Sequence, residues 1–158
     1  MTSELFCMMA HVNIVHIPYK GSGQAMADLV SGQVAIAFDQ ITSSLPQVEA
    51  GKLRAIAVTS AKRFASVPQL PTIAEAGLPG YESVSWNGLA APAGTPRELV
   101  VRIQEQVARV LQLPDIKERF FKDGIEGVGS TPEQFAAHIK RERAKWEKVV
   151  DAAGIQPI

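Results

Sequence analysis

The sequence predicts an α/β fold with a parallel-type sheet flanked by helices. Three observations predict it. Short β-branched or apolar runs at Asn13–Ile17, Val34–Phe38 and Leu53–Val58 alternate with helical patterns at Ser22–Ser31 and Thr42–Ala50. The connections are tight, and strand–helix alternation with short links favours parallel strands crossed by helices. Val34-Ala35-Ile36-Ala37-Phe38 is apolar without alternation, as expected of a strand covered on both faces.

The elements follow in order. Ser3 to about Ala10 reads as a helix capped by Ser3, with Leu5, Phe6, Met8 and Met9 as its apolar residues. Asn13–Ile17 is the first strand. Ser22–Ser31 is helical, with Met26, Leu29 and Val30 on one side and Gly32 as the stop. A second strand, the Thr42–Ala50 helix closed by Gly51, and the Leu53–Val58 strand complete the pattern.

After Ser60 the texture changes. Val67-Pro68-Gln69-Leu70-Pro71 is a proline-bounded loop. Thr72-Ile73-Ala74-Glu75 has capping-box spacing and predicts a one-turn helix ended by Gly77. Ser83–Ala91, containing Trp86, reads as a strand. Thr95-Pro96-Arg97-Glu98 predicts a second capping box, with proline at the first helical position. The helix that follows runs to about Leu111 and carries Leu99, Val100, Ile103, Val107 and Val110 on its apolar face. A short helix at Asp115–Lys122 and a short strand at Ile125–Val128 come next. Thr131-Pro132-Glu133-Gln134 predicts a third capping box, opening a final helix to about Ala153. Phe135, Ile139, Trp146, Val149 and Val150 have core-facing spacing there.

The pattern opens on a helix with no strand before it, in a fold whose helices normally cross between parallel strands. It therefore reads as the second part of a larger protein, with an incomplete sheet.

Composition narrows the function classes. The 158 residues carry 16 Lys+Arg and 16 Asp+Glu, with no basic stripe interleaved with aromatics, so nucleic acid is not an expected partner. No apolar run reaches the roughly 18–20 residues of a membrane span. The single cysteine, Cys7, allows no internal disulfide and reads as a small apolar helix residue. The Met1–Phe6 stretch lacks a basic n-region, so the chain as written would stay in the cytoplasm. His11, His16 and His138 have no metal-ligand spacing, and no Gly-x-Ser-x-Gly elbow is present. His16, Ser22 and Asp39 invite a triad. However, His16 sits inside a strand and need not face Ser22. The expectation is no enzyme chemistry, no cofactor and no metal.

Ligands of open α/β sheets sit beyond the carboxyl ends of the strands. Those ends are Pro18–Ser22, Asp39–Thr42 and Thr59–Lys62. Gly21, Ser22, Gly23 and Gln24 begin a helix, where free N–H groups and the positive dipole end suit a carboxylate. The plainer alternative is that Ser22 is an N-cap and the glycines only make the turn. The run is not a P-loop, because Lys-Ser/Thr does not follow the glycines. Tyr19 would stack or hydrogen-bond over a ligand, or form a half-buried wall. Lys20 would add positive potential, or be solvated. Asp39 would accept from an amino, hydroxyl or water group, or cap the next helix. Trp86 would be a cleft wall or core.

These residues also carry a resemblance. The landmarks are Glu4-Leu5-Phe6, His16-Ile17-Pro18-Tyr19-Lys20-Gly21, Gly32-Gln33-Val34 and the run Gly51–Ser60. They continue through Pro71–Gly77, Trp86-Asn87-Gly88-Leu89, Pro92–Pro96 and Trp146. In this order and spacing, from about Ser3 to Ala153, the chain resembles the substrate-binding proteins of tripartite tricarboxylate transporters, the Bug or TctC family. The resemblance implies a type II periplasmic-binding-protein (Venus-flytrap) fold, in which a small carboxylate is held between two lobes and passed to a membrane permease. It implies periplasmic location. It also implies that residues 1–80 form the second-lobe α/β unit and residues 81–158 the hinge strand and C-terminal helices returning toward the first lobe. The family's signal peptide and first-lobe loops are not in this sequence, and Cys7 stands where a polar or basic residue is expected. Two expectations follow. One is a carboxylate-binding receptor, with a homo-oligomer allowed for. The other is a truncated non-binding lobe acting as an oligomerising or interaction module.

Overall fold

The computed structural model describes residues 1–155. Among the described residues six helices are formed: α1 Thr2–Ala10, α2 Ser22–Val30, α3 Ile41–Glu49, α4 Arg97–Val110, α5 Pro114–Lys122 and α6 Pro132–Ala153. The chain divides into two compact units, Met1–Val84 and the part from Ser85 onward. Among the described residues no helix is long and apolar enough to cross a membrane.

The first unit is organised on α1. Leu5 is buried, and the Phe6 ring packs on Phe38 at 5.6 Å and edge-on to Tyr81 at 6.0 Å. Tyr81 is 1% exposed, and its hydroxyl donates to the Thr2 carbonyl at 3.1 Å. The Thr2 and Ser83 hydroxyls share a hydrogen bond of 2.8 Å. This cluster ties the start of the unit to its end, and Leu5, Val67 and Thr72 are buried in the same unit. α1 ends on His11 in the left-handed conformation, φ 53°, which non-glycine residues seldom adopt.

α2 and α3 are in contact. Gly32 (φ 79°) and Gly51 (φ 68°) follow them and let the chain reverse where a side chain would be strained. α3 starts at Ile41 and contains Pro46, whose missing N–H leaves one internal bond unmade. The hydroxyls of Ser43 and Ser44 bond back to the Gln40 carbonyl, at 2.8 and 2.9 Å.

The expected sheet is not formed among the described residues. The runs at Asn13–Ile17, Val34–Phe38, Leu53–Val58, Ser83–Ala91 and Ile125–Val128 carry no strand ladder. One isolated parallel bridge joins Val58 and Thr72, with Val58 N–H donating to Pro71 O at 2.9 Å and Ile73 N–H to Val58 O at 3.0 Å. The physical reason lies in the nature of a strand. β-Branched residues favour extended backbone, but only a neighbour's N–H and C=O complete the ladder. These segments do not supply that neighbour to one another. Their apolar side chains are correspondingly uncovered, with Val15 81% and Ile56 63% exposed.

The Thr72–Gly77 segment is a hydrogen-bonded turn where the sequence predicts a one-turn helix. The capping bonds themselves are made. Thr72 N–H donates to Glu75 Oε2 and Glu75 N–H to Thr72 Oγ1, each at 3.0 Å. Arg63 donates to the same Glu75 oxygen at 2.8 Å. The Thr72 N–H and Arg63 together hold the Glu75 carboxyl below its ordinary pKa.

The second unit contains α4, α5 and α6, with α4 and α6 in contact. Thr131 caps α6 through a full capping box. Its hydroxyl accepts from Gln134 N–H at 3.2 Å, and Gln134 Oε1 accepts from Thr131 N–H at 2.9 Å. The expected box at Thr95 does not form. α4 begins at Arg97, so Pro96 is the cap and the Thr95 hydroxyl donates instead to Pro92 O at 2.8 Å. Val149 is the buried residue of α6. Leu99, Ile103 and Val110 of α4 and Ile139 of α6 are exposed, against the core-facing role that their spacing predicts.

Candidate functional site

The turn before α2 places its N–H groups as helix geometry dictates. Gly21 is the N-cap, in extended backbone at φ 177°, and no side chain caps this end. Ser22 is therefore the first helical residue and not the cap, so the plainer reading of its hydroxyl does not hold. The first-turn N–H groups of Ser22, Gly23 and Gln24 have no partner at i−4 within the helix. All four residues of the Gly21–Gln24 turn are exposed.

Gly21 occupies the N-cap, a position that glycine suits, and Gly23 lies inside the first turn of the helix. Neither Gly21 nor Gly23 has a left-handed φ. A Cβ built on either meets nothing within 4 Å. Glycine inside a helix costs about 1 kcal/mol relative to alanine.

Tyr19, just before the turn, is half-buried. Its hydroxyl donates to Asp28 Oδ2 at 2.8 Å. That hydrogen bond, aided by burial and the Asp28 charge, raises the tyrosine above its ordinary pKa. Lys20 is exposed.

Asp39 precedes α3, and its carboxylate is exposed. It accepts from the Ser43 hydroxyl at 2.6 Å, while Gln40 is the helix cap. The single Ser43 hydrogen is shared between Asp39 and the Gln40 carbonyl at 2.8 Å. The third loop, Thr59–Lys62, is bonded internally, with Ser60 Oγ donating to Lys62 O at 2.7 Å. Thr59 O accepts from Ser83 N–H at 2.9 Å.

Seven of the eight residues singled out by sequence thus belong to the first unit, on the segments that lead into α2 and α3. Trp86 belongs to the second unit. It stands edge-on to Phe135 at 5.5 Å and to His138 at 5.2 Å. Phe135 also lies over Gly88, where a Cβ would fall 2.1 Å from the ring tip. His16 lies 3.9 Å from Glu4, so its imidazole has a carboxylate neighbour on α1. A groove on α4 is lined by Arg97, Glu98, Val101, Arg102, Glu105 and Gln106, a balanced set of charges along one helix.

Sequence reasoning missed Asp28 and Ser43, the partners that fix Tyr19 and Asp39. Ser43 follows Asp39 by four residues, a spacing visible in the sequence. Asp28 gives a weaker signal, an acid in the last turn of a helix where the dipole disfavours it.

The family model for the tripartite tricarboxylate transporter family receptor matches residues 1–155. A curated relative, the UPF0065 protein in the tcbD-tcbE intergenic region of Pseudomonas sp. (strain P51), is 40% identical over 151 residues, covering 95% of this chain and 45% of that protein. An R. palustris protein solved with adipate superposes with a TM-score of 0.83 at 43% identity, covering 99% of this chain and 52% of that one. MatC from Rhodopseudomonas palustris, solved with bound malate, gives a TM-score of 0.71 at 35% identity, covering 94% and 52%. The chain spans about half the length of these relatives. The chain fold is that of the periplasmic solute-binding proteins of this type. With the match running through both units, the chain belongs to the tripartite tricarboxylate transporter receptor family.

Proposed function

We propose that this chain is the second-lobe part of a solute receptor that binds a small carboxylate at the N-terminal end of α2. The observation that carries the reading is the pair Gly21 and Gly23, bare of side chains with open space around them at a helix end that no side chain caps. Such an end favours an anion through its free N–H groups and the helix dipole. Two relatives were solved with dicarboxylates, adipate and malate, which supports the same ligand class here. In this reading Ser22, Gly23 and Gln24 meet one carboxylate, Lys20 adds positive potential and the Tyr19 ring walls the turn. Asp39 accepts from a donor group or a bridging water. Residues 1–80 are the second lobe, and residues 81–158 are the hinge and C-terminal helices. The receptor works in the periplasm, hands its ligand to the membrane permease of a tripartite uptake system and performs no chemistry on it.

Calorimetric titration of a panel of mono-, di- and tricarboxylates tests the reading. Saturable binding to the native chain, lost or weakened at least tenfold in Ser22→Leu, is the expected result. Equal affinity in the two proteins contradicts it.

A second reading has its own observation. Leu99, Ile103 and Val110 are exposed along α4, as are Val15 and Ile56 in the first unit. Uncovered apolar stripes of this kind mark association surfaces. An oligomerising lobe that binds no solute would use them, and the absence of saturable carboxylate binding in a well-folded sample would favour it.

A further inference from the structure

Asp28 lies outside the Gly21–Gln24 turn, yet the connections at both ends of α2 meet on it. Its carboxylate accepts from the Tyr19 hydroxyl at 2.8 Å. Its carbonyl accepts from the N–H of Gln33 at 2.8 Å and of Val34 at 3.3 Å, and from the Ser31 hydroxyl at 3.2 Å. The side-chain bond closes a loop from Tyr19 to Asp28 that contains the whole Lys20–Gln24 segment. The backbone bonds fix where the chain leaves α2.

Helix physics alone argues against an acid at this position. Aspartate is a poor helix former. In the last turn of α2 its charge stands at the negative end of the helix dipole. The compensating interaction is the bond from Tyr19. The bond also defines what Tyr19 can do. Its hydroxyl has one hydrogen, and that hydrogen is given to Asp28. Toward a carboxylate ligand the tyrosine therefore offers its ring and its fixed position, not a donor.

We propose that Asp28 is a positioning residue for the carboxylate site. Acting through Tyr19, it clamps the Lys20–Gln24 turn so that the first-turn N–H groups of α2 already hold their direction before ligand arrives. A turn ordered in advance loses less freedom on binding. The inference rests on the reading of that turn as the ligand site, and its test separates the two.

Adipate and malate are titrated into the full chain and into Asp28→Ala, Asp28→Asn, Tyr19→Phe and the Asp28→Ala/Tyr19→Phe double variant. Backbone amide order parameters of Lys20–Gln24 are measured by nuclear magnetic resonance on the ligand-free proteins. Each of Asp28→Ala and Tyr19→Phe weakens binding by about tenfold, the scale of one charge-assisted hydrogen bond. The double variant is no weaker than either single one, because both remove the same interaction. Asp28→Asn keeps an acceptor oxygen and stays within about threefold of the native affinity. The order parameters fall from about 0.85 toward about 0.6 in the alanine and phenylalanine variants and hold in the asparagine variant. Additive losses, or a turn as rigid in Asp28→Ala as in the native chain, overturn the clamp. Should the native chain bind neither acid, the ligand reading fails by itself. The order parameters then decide the clamp: a loosened turn supports it and an unchanged one overturns it.

Discussion

Tyr81 shows how one side chain organises the first unit. It is 1% exposed, packs against Phe6 and donates to the Thr2 carbonyl. Burial, with a smaller contribution from Cys7, pushes its phenol up to about 12 from 10.0. The phenol is thus held neutral in the folded state beyond the pH at which the unfolded chain ionises. Its contribution is complete below pH 10 and is lost as pH rises from about 10 to about 12, by up to about 1.4 kcal/mol per pH unit. Tyr81→Phe removes this slope and costs about 1 kcal/mol at neutral pH through the lost hydrogen bond. Urea unfolding of the two proteins between pH 8 and pH 12 (a range of about four units) checks both effects. At this same scale the geometry of the candidate site was half legible. Glycines just ahead of a helical pattern mark Gly21 and Gly23, because no other residue leaves backbone bare. Apolar periodicity marks Met26, Leu29 and Val30, but it is silent on Asp28, whose role depends on where the Tyr19 hydroxyl points.

Two similar motifs have different fates among the elements. Thr131-Pro132-Glu133-Gln134 and Thr95-Pro96-Arg97-Glu98 share the capping pattern. α6 starts at Pro132, which puts Gln134 where it can reach back to Thr131. α4 starts one residue later relative to its motif, at Arg97, and the pairing is out of register. Thr131→Ala should therefore cost about 1 kcal/mol, and Thr95→Ala well under half of that. Thermal unfolding of the two variants decides it. Packing gives a further prediction. Gly88→Ala drives a methyl into the Phe135 ring, which must move, at a cost of about 1–3 kcal/mol. Because Trp86 rests edge-on to Phe135, the displacement should shift its fluorescence. Unchanged emission and stability would contradict the contact. Helix positions were legible to within about a residue or two, since caps, glycines and 3.6-residue periodicity are local signals. The sheet was not. A strand needs a partner, and the composition of Val34–Phe38 records only a preference for extended, covered backbone.

For the molecule as a whole, the sequence order of motifs was sufficient to identify the family that the comparisons establish over residues 1–155. Spacing along a chain records common ancestry even where local hydrogen bonding does not close. The apolar stripe on α4 was legible as a stripe, but its cover was not, because periodicity states which face is apolar and not what lies against it. With Leu99, Ile103, Val110 and Val15 exposed, the chain should self-associate at micromolar concentration. Light scattering should report this, and Leu99→Gln/Ile103→Gln should reduce it. A monodisperse monomer would contradict the expectation. The central claim, however, concerns the bare turn before α2. Gly23→Ala should fold at least as stably as the native chain, since Gly23 lies within α2, alanine is the better helix former and the added methyl meets no neighbour. The most direct measurement is a paired titration of adipate and malate into the native chain and this variant, with melting temperatures recorded alongside. The account predicts saturable binding to the native chain, at least tenfold weaker in the variant, with no loss of melting temperature. Equal affinity in two equally stable proteins would contradict it.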